Sequence, residues 1–552
     1  MLSTMQDVPL LISRILAHGS SIHGTSEVIT WTGEAEPHRR SFAEIGTRAA
    51  QLAHALKDDL GVADDERVAT LMWNNAEHVE AYFAIPSMGA VLHTLNLRLP
   101  PEQLAWIVNH AADRVVIANG SLLPLLVPLL PHLKTIEHVV VSGPGDRSGL
   151  ADLPVRVHEY EELLAGKPTA FDWPELDERA AASMCYTSGT TGDPKGVVYS
   201  HRSIYLHSMQ VNMTQSMGLT DQDTSLVVVP QFHVNAWGLP HATFMTGVNM
   251  LMPDRFLQPA PLAEMIESIK PTHAAAVPTI WQGLLGELTA RPREVSSLGQ
   301  VTIGGSACPP SLMEAFDRLG MRVCHAWGMT ETSPLGTIAR PPAHAVGTDE
   351  EFGYRLTQGR FPASVEARLT GPGGERLPWD GESAGELEVR GPWIAGAYYN
   401  GTDAEPLRPE DKFSADGWLK TGDVGTISAD GFLTLTDRAK DVIKSGGEWI
   451  SSVELENALM AHPEVAEAAV VAVPDDKWGE RPLATVVLKE GSSADFAALR
   501  TFLADEAGIA KWQLPERWSI IESVPKTSVG KFDKKVLRRQ YAAGELDVEK
   551  LG

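Results

Sequence analysis

The chain has 552 residues, is 43% hydrophobic and 21% charged, and carries a formal net charge of −25. That length exceeds one ordinary domain and predicts about two to four units. So acidic a surface repels phosphate over most of its extent, which disfavours a general nucleic-acid or membrane-surface binder and leaves open a pocket where a few lysines dominate.

The first stretch, Met1 to Leu16, is moderately apolar. It lacks a basic start and is interrupted by Asp7 and Arg14, so no signal peptide is read there. Ser41-Phe-Ala-Glu44 reads as a capping box opening a helix with Ile45, Leu52 and Leu56 on its apolar side and a stop near Gly61. A buried strand at 67–73 follows, then a helix around 78–83, a strand at 91–96, a helix near 104–108 and a strand at 115–118. The apolar run 121–130 is short and broken by Pro124 and Pro128, so no membrane-spanning helix is expected. Further apolar runs recur at 226–229, 274–277 and 301–303. Alternation of this kind predicts parallel sheets covered by helices. After Ala363 the texture changes to strand-like runs at 386–389 and 432–435 between Gly/Asp-rich turns, the mark of a small β-rich subdomain.

A charged stretch, Asp437-Arg-Ala-Lys-Asp441, and the pair Gly446-Gly447 precede a new compact unit. Ser451-Ser-Val-Glu454 caps a helix that ends before Pro463. Strands at 468–473 and 484–488 and a helix at 496–503 complete it. The boundary falls near Lys440, giving units 1–439 and 440–552. The fold class is α/β, α+β overall. Three cysteines, Cys185, Cys308 and Cys324, are widely spaced with no CxxC pair, which suits a reducing cytoplasm better than a disulfide framework.

The strongest chemical signal is Tyr186-Thr-Ser-Gly-Thr-Thr-Gly-Asp-Pro-Lys-Gly196. From Thr187 onward, three glycines and four aliphatic hydroxyls fall within ten positions, with Lys195 near the end. Glycines let the backbone turn its N–H groups inward to hold phosphate, and the hydroxyls add donors or magnesium ligands. It is not a Walker A loop, because Pro194 precedes the lysine and Gly196 follows it.

Ser188 to Gly196 resembles the phosphate loop of the adenylate-forming superfamily, which includes acyl-CoA synthetases, peptide-synthetase adenylation domains and firefly luciferase. Four further segments continue the resemblance in order: Trp327-Gly-Met-Thr-Glu331, Trp418-Leu-Lys-Thr-Gly-Asp423, Asp437-Arg-Ala-Lys440 and Pro525-Lys-Thr-Ser-Val-Gly-Lys531. The resemblance implies a large N-terminal AMP-binding domain with a β-barrel-like subdomain and a small mobile C-terminal domain. It implies ATP, Mg²⁺ and coenzyme A as co-substrates or cofactor.

By the same resemblance, Thr187, Ser188, Gly189, Thr190, Thr191, Gly192, Lys195 and Thr330 hold the ATP phosphates. Glu331 and Thr187 hold magnesium. Gly305, His325, Ala326, Trp327, Gly328 and Met329 line the nucleotide pocket, with Trp327 stacked on adenine. Asp423 accepts the ribose hydroxyls, helped by Arg438. Lys531 is the catalytic lysine, together with Glu331 and Thr187, and its Gly530-bearing loop suggests a solvent-exposed side chain at rest. Lys440 is the hinge. After adenylation the C-terminal domain swings, removing Lys531 and presenting Gly446, Gly447 and Glu448 to coenzyme A. Lys444 and Trp449 match nucleotide-contacting positions, and Lys444 also falls in the coenzyme A set.

Val229-Pro-Gln-Phe-His-Val-Asn-Ala-Trp237 is similar to the acyl-pocket segment of bacterial long- and medium-chain fatty acid–CoA ligases. It places His233, Val234, Trp237 and Gly305 at the acyl group, with Trp237 as the gate. Those relatives form dimers, so a homodimer is expected. The implied reaction is adenylation of a medium- or long-chain fatty acid and transfer of the acyl group to coenzyme A. A ligase for a short thioether or aryl acid shares much of the pattern. An amino-acid adenylation module that loads a carrier protein is disfavoured, because Asn235-Ala-Trp237 offers no carboxylate for an ammonium.

Overall fold

The computed structural model describes the chain except for residues 2, 188–192, 372, 403, 439–440, 446–447, 528–530 and 552. Two large sheets build most of it. In the seven-stranded sheet, Arg67–Leu71 lies between Val91–Thr94 and Val115–Asn119, and every pair is parallel except the last. That last pair is Ala181–Tyr186 with Gly196–Ser200, a hairpin whose connection is the hydroxyl- and glycine-rich loop. In the second sheet Thr224–Val227, His273–Ala276, Gln300–Ile303 and Arg322–Gly328 run parallel and side by side. The predicted alternation therefore holds, with strand ends shifted by one or two residues.

The helix Ala76–Ser87 is buried along its whole length, because it lies in the core shared by both sheets. Its start is fixed by Asn75, whose side chain accepts from His78 N. The Ser41 capping box is present in both directions and opens Phe42–His54. The β-rich stretch after 363 is hydrogen-bonded to the second sheet. Arg322–Gly328 pairs in parallel with Gln300–Ile303 through its first half and antiparallel with Leu335–Ile338 through its second. The ladder then continues to Phe432–Arg438 and Leu419–Ile427, giving one path of 14 strands.

From Ile443 onward the strands belong to a third sheet with its own apolar core around Val470, Ala484, Leu499 and Trp518. Ser451 caps Ser452–Ala461 as expected, accepting from Glu454 N. Side chains tie this unit to the strand that precedes it: Ser452 donates from both N and Oγ to Asp437 Oδ2, and Ser451 Oγ donates to Thr436 O.

Candidate active site

Parallel strands of both sheets deliver their C-terminal ends to one cavity of about 480 Å³. Open parallel sheets place ligand sites at that edge because the loops leaving the strands splay there. Thr187, Asp193 and Lys195 enter it from the hairpin, Gly304 and Gly305 from the end of Gln300–Ile303, Trp327 to Glu331 from the next strand, and Asp423 and Arg438 from the antiparallel ladder. Lys531 enters it from the C-terminal unit.

The candidate phosphate loop is pinned at its base, where Thr187 N donates to Lys195 O at 2.9 Å and Lys195 N to Thr187 Oγ1 at 3.3 Å. Ser188 to Gly192 lie outside the described residues. The Lys195 ammonium sits 5.1 Å from the ring centre of Tyr398, whose hydroxyl donates to Glu331 Oε1 at 2.7 Å. Tyr398 was not singled out from sequence, since a tyrosine after Gly-Ala carries no spacing signal. Glu331 is buried, and the backbone around it is held by Tyr199 Oη donating to Thr330 O and Ala395 N donating to Glu331 O. One carboxylate with a nearby threonine hydroxyl suits a hard divalent cation that takes its remaining oxygens from phosphate and water. Among the described residues no cluster of three or more His, Cys, Asp or Glu could hold a metal by itself.

Asp423 is only 3% exposed and has two neighbours: Trp327 Nε1 donates to Oδ2 at 2.8 Å, and Arg438 Nε lies 2.6 Å from Oδ1. The indole therefore has a polar task beyond the stacking expected from sequence. Room for it comes from Gly336, where a Cβ would lie 2.3 Å from the six-membered ring of Trp327. Each carboxylate oxygen keeps a second lone pair for a sugar hydroxyl.

The expectation of an exposed Lys531 is corrected. Its side chain reaches into the cavity, and its Cε is 3.3 Å from where a Cβ on Gly305 would stand. Gly305 has a φ of +86°, so glycine meets both the backbone and the space requirement. Burial lowers the Lys531 pKa to about 8; Arg438 pushes it the same way, and Asp423 and Glu331 oppose. Thr527 N donates to Lys531 O at 2.7 Å, closing the loop whose residues 528–530 lie outside the described set.

His325, Ala326, Gly328, Met329 and Thr330 also line the cavity, as does the acyl candidate pair His233 and Val234. His325 is neutral-leaning through burial and bonds Leu356 O. Burial first, then Lys531 and Arg98, lower the His233 pKa to about 3, so its imidazole is neutral at ordinary pH. The segment carrying it is hung from Asn74, whose amide donates to Val227 O and Val229 O, each at 2.8 Å, and accepts from Gln231 N at 2.7 Å.

Trp237 closes a turn not singled out from sequence. Val234, Asn235, Ala236 and Trp237 all have positive φ, from 40° to 57°. Left-handed backbone costs non-glycine residues roughly 1–2 kcal/mol each, so the surroundings must hold the turn. Asn235 Oδ1 accepts from Ser183 Oγ at 3.1 Å and from Cys185 Sγ at 3.6 Å, on the strand that runs into Thr187. The Trp237 ring edge then lies 3.2 Å from a Cβ position on Gly304, a glycine not singled out from sequence.

Among the described residues, Lys444 does not line the cavity. Lys444 is exposed on a hairpin, paired with Trp449 and with its N donating to Glu480. Glu448 pairs with Ser445 on the same hairpin. Lys440, Gly446 and Gly447 lie outside the described residues.

Residues 22–399 match the profile of the AMP-binding enzyme family, and residues 454–531 match the family's C-terminal domain. A 3-methylmercaptopropionyl-CoA ligase of Ruegeria pomeroyi is 45% identical over 544 residues, 98% of this chain and 99% of that protein. A long-chain-fatty-acid–CoA ligase of Thermus thermophilus is 42% identical over 541 residues, 98% of this chain and 97% of its own. Among solved structures, an anthranilate CoA ligase in complex with anthranoyl-AMP superposes with a TM-score of 0.85 at 26% identity, covering 98% of this chain and 100% of its own.

Proposed function

The chain belongs to the AMP-binding enzyme family, and we propose that it is an ATP-dependent acyl-CoA ligase acting on a straight aliphatic acid. A carboxylate oxygen attacks the α-phosphorus of ATP and pyrophosphate leaves. The coenzyme A sulfur then attacks the acyl carbon and AMP leaves. The observation that carries the reading is the meeting of Lys531 with Thr187, Glu331, Asp423 and Trp327 in one cavity. Both partners of the first step are anionic, and a positioned ammonium stabilises the charge that gathers on the phosphoryl oxygens. Magnesium would supply further neutralisation of the phosphates, held by Glu331 and Thr187.

In this reading residues 1–439 form the AMP-binding domain and 440–552 a mobile domain hinged at Lys440. The described arrangement, with Lys531 inside, is the adenylating one. Lys444, Gly446, Gly447 and Glu448 would reach coenzyme A only after rotation. Two chains would associate as a homodimer, which light scattering tests. The acid is either a fatty acid or a short thioether acid. The thioether reading is supported by the two relatives named 3-methylmercaptopropionyl-CoA ligases, 45% and 43% identical; the fatty-acid reading by relatives at 42% and 41%. AMP release with an acid panel, with and without coenzyme A, tests the proposal. Product with aryl acids alone, or adenylate formation that coenzyme A does not turn over, would overturn it.

A further inference from the structure

The same cavity is also lined by Val211, Ser216, Met217, Thr302, Leu335 and Ile338, which form its end beside the helix His201–Asn212 and the strand Leu335–Ile338. Ser216 and Met217 follow the helix His201–Asn212 in a tight loop, with Met217 N donating to Val211 O at 3.0 Å and Ser216 N to Met213 O at 2.8 Å. The carbonyls of both are held from the far side of the chain. Arg340 Nε donates to Ser216 O at 2.8 Å and Arg340 Nη2 to Met217 O at 3.0 Å. Arg340 Nη2 also donates to Gln300 Oε1 at 2.8 Å, and Gln300 Nε2 to Met217 O at 3.0 Å.

Ser216 and Met217 are buried, and with both carbonyls bonded to a guanidinium they resist displacement, because moving them leaves those groups unpaired away from water. This end of the cavity is therefore a wall. One strand, Gln300–Ile303, links the two ends: its Gln300 bonds the loop, its Thr302 lines the cavity, and Gly304 and Gly305 follow it. The wall carries a hydroxyl as well. Ser216 Oγ accepts from Gln210 Nε2 at 3.1 Å, which leaves its hydrogen to donate.

We propose that the Ser216–Met217 loop, braced by Arg340 and Gln300, sets the upper limit of acid length, and that Ser216 favours a short tail bearing an acceptor atom such as a thioether sulfur. The inference rests on the acyl-CoA ligase reading. It is tested by kcat/KM for coenzyme A-dependent AMP release with 3-(methylthio)propionate and the straight acids from butyrate to dodecanoate. Wild type should prefer acids no longer than hexanoate. Met217→Ala should move the optimum to longer acids, each newly buried carbon adding about fourfold. Val211→Phe, which fills the space, should move it shorter, and Arg340→Gln should broaden it. Ser216→Ala should lower the ratio of 3-(methylthio)propionate to pentanoate roughly threefold to tenfold. A wild-type optimum at octanoate or beyond, or a length profile unmoved in every variant that melts like wild type, overturns the proposal. An unchanged ratio in Ser216→Ala overturns its selectivity part. Failure of every aliphatic acid to yield a thioester overturns the ligase reading instead.

Discussion

Lys531 is a lysine whose surroundings work against its own charge, since burial and Arg438 both favour the neutral amine. In the proposed mechanism adenylation needs the ammonium. In the free enzyme the protonated fraction is full below pH 7 and falls as pH rises through about 8. The kcat/KM of adenylation should therefore lose activity on the alkaline side with an apparent pKa near 8, a limb absent when coenzyme A is given a supplied acyl-adenylate. An alkaline limb of equal size in both half-reactions would remove Lys531 from the assignment. Lys531→Ala should cost adenylation about 10²–10³ in rate, the usual loss for one charge contact to a transition state, and spare the second step. At the other end of the proposed nucleotide site, Trp327→Phe keeps a ring but leaves Asp423 Oδ2 without its indole donor. Hydrogen bonds to charged groups contribute roughly 1.5–3 kcal/mol, so ATP affinity should weaken by about tenfold or more while the acid KM stays put.

Elements differ in how much of them could be read in advance. Strands such as Val115–Asn119 and Gln300–Ile303 were legible because buried parallel strands are near-continuous apolar runs, and helices opened by Ser41 and Ser451 were legible because their caps have a fixed spacing. The turn at 234–238 was not, because in Val-Asn-Ala-Trp only Asn235 is a type that enters left-handed backbone readily and the turn's support comes from Ser183 and Cys185, some fifty residues away. The Trp327–Asp423 bond was hidden for the same reason, each motif being legible alone and the pairing between them a matter of tertiary geometry. Gly238 marks the turn's weak point. Its φ is +75°, and a Cβ there would lie 2.6 Å from the His207 ring. Gly238→Ala should destabilise the protein by more than about 1 kcal/mol, lowering Tm, and should raise the acid KM while leaving the ATP KM unchanged. Trp237→Ala should likewise change the preference among acids more than the affinity for ATP.

A smaller C-terminal unit meets the larger one over the cavity, and hydrogen bonds join them at the boundary. Ser452 donates from N and Oγ to Asp437 Oδ2, and Ser451 Oγ donates to Thr436 O. The rotation about Lys440 proposed above would have to part these bonds. Lys440→Pro removes an N–H and fixes φ, so adenylate should still form while transfer to coenzyme A slows; equal rates in both steps would put the pivot elsewhere. The central claim is that one cavity adenylates an aliphatic acid and then passes it to coenzyme A. Acid-dependent exchange of labelled pyrophosphate into ATP, followed by adding coenzyme A to the same mixture, tests it most directly. The account predicts exchange only when an aliphatic acid is present, and its replacement by net AMP and acyl-CoA when coenzyme A is added. Exchange without acid, or exchange that coenzyme A leaves untouched, would contradict it.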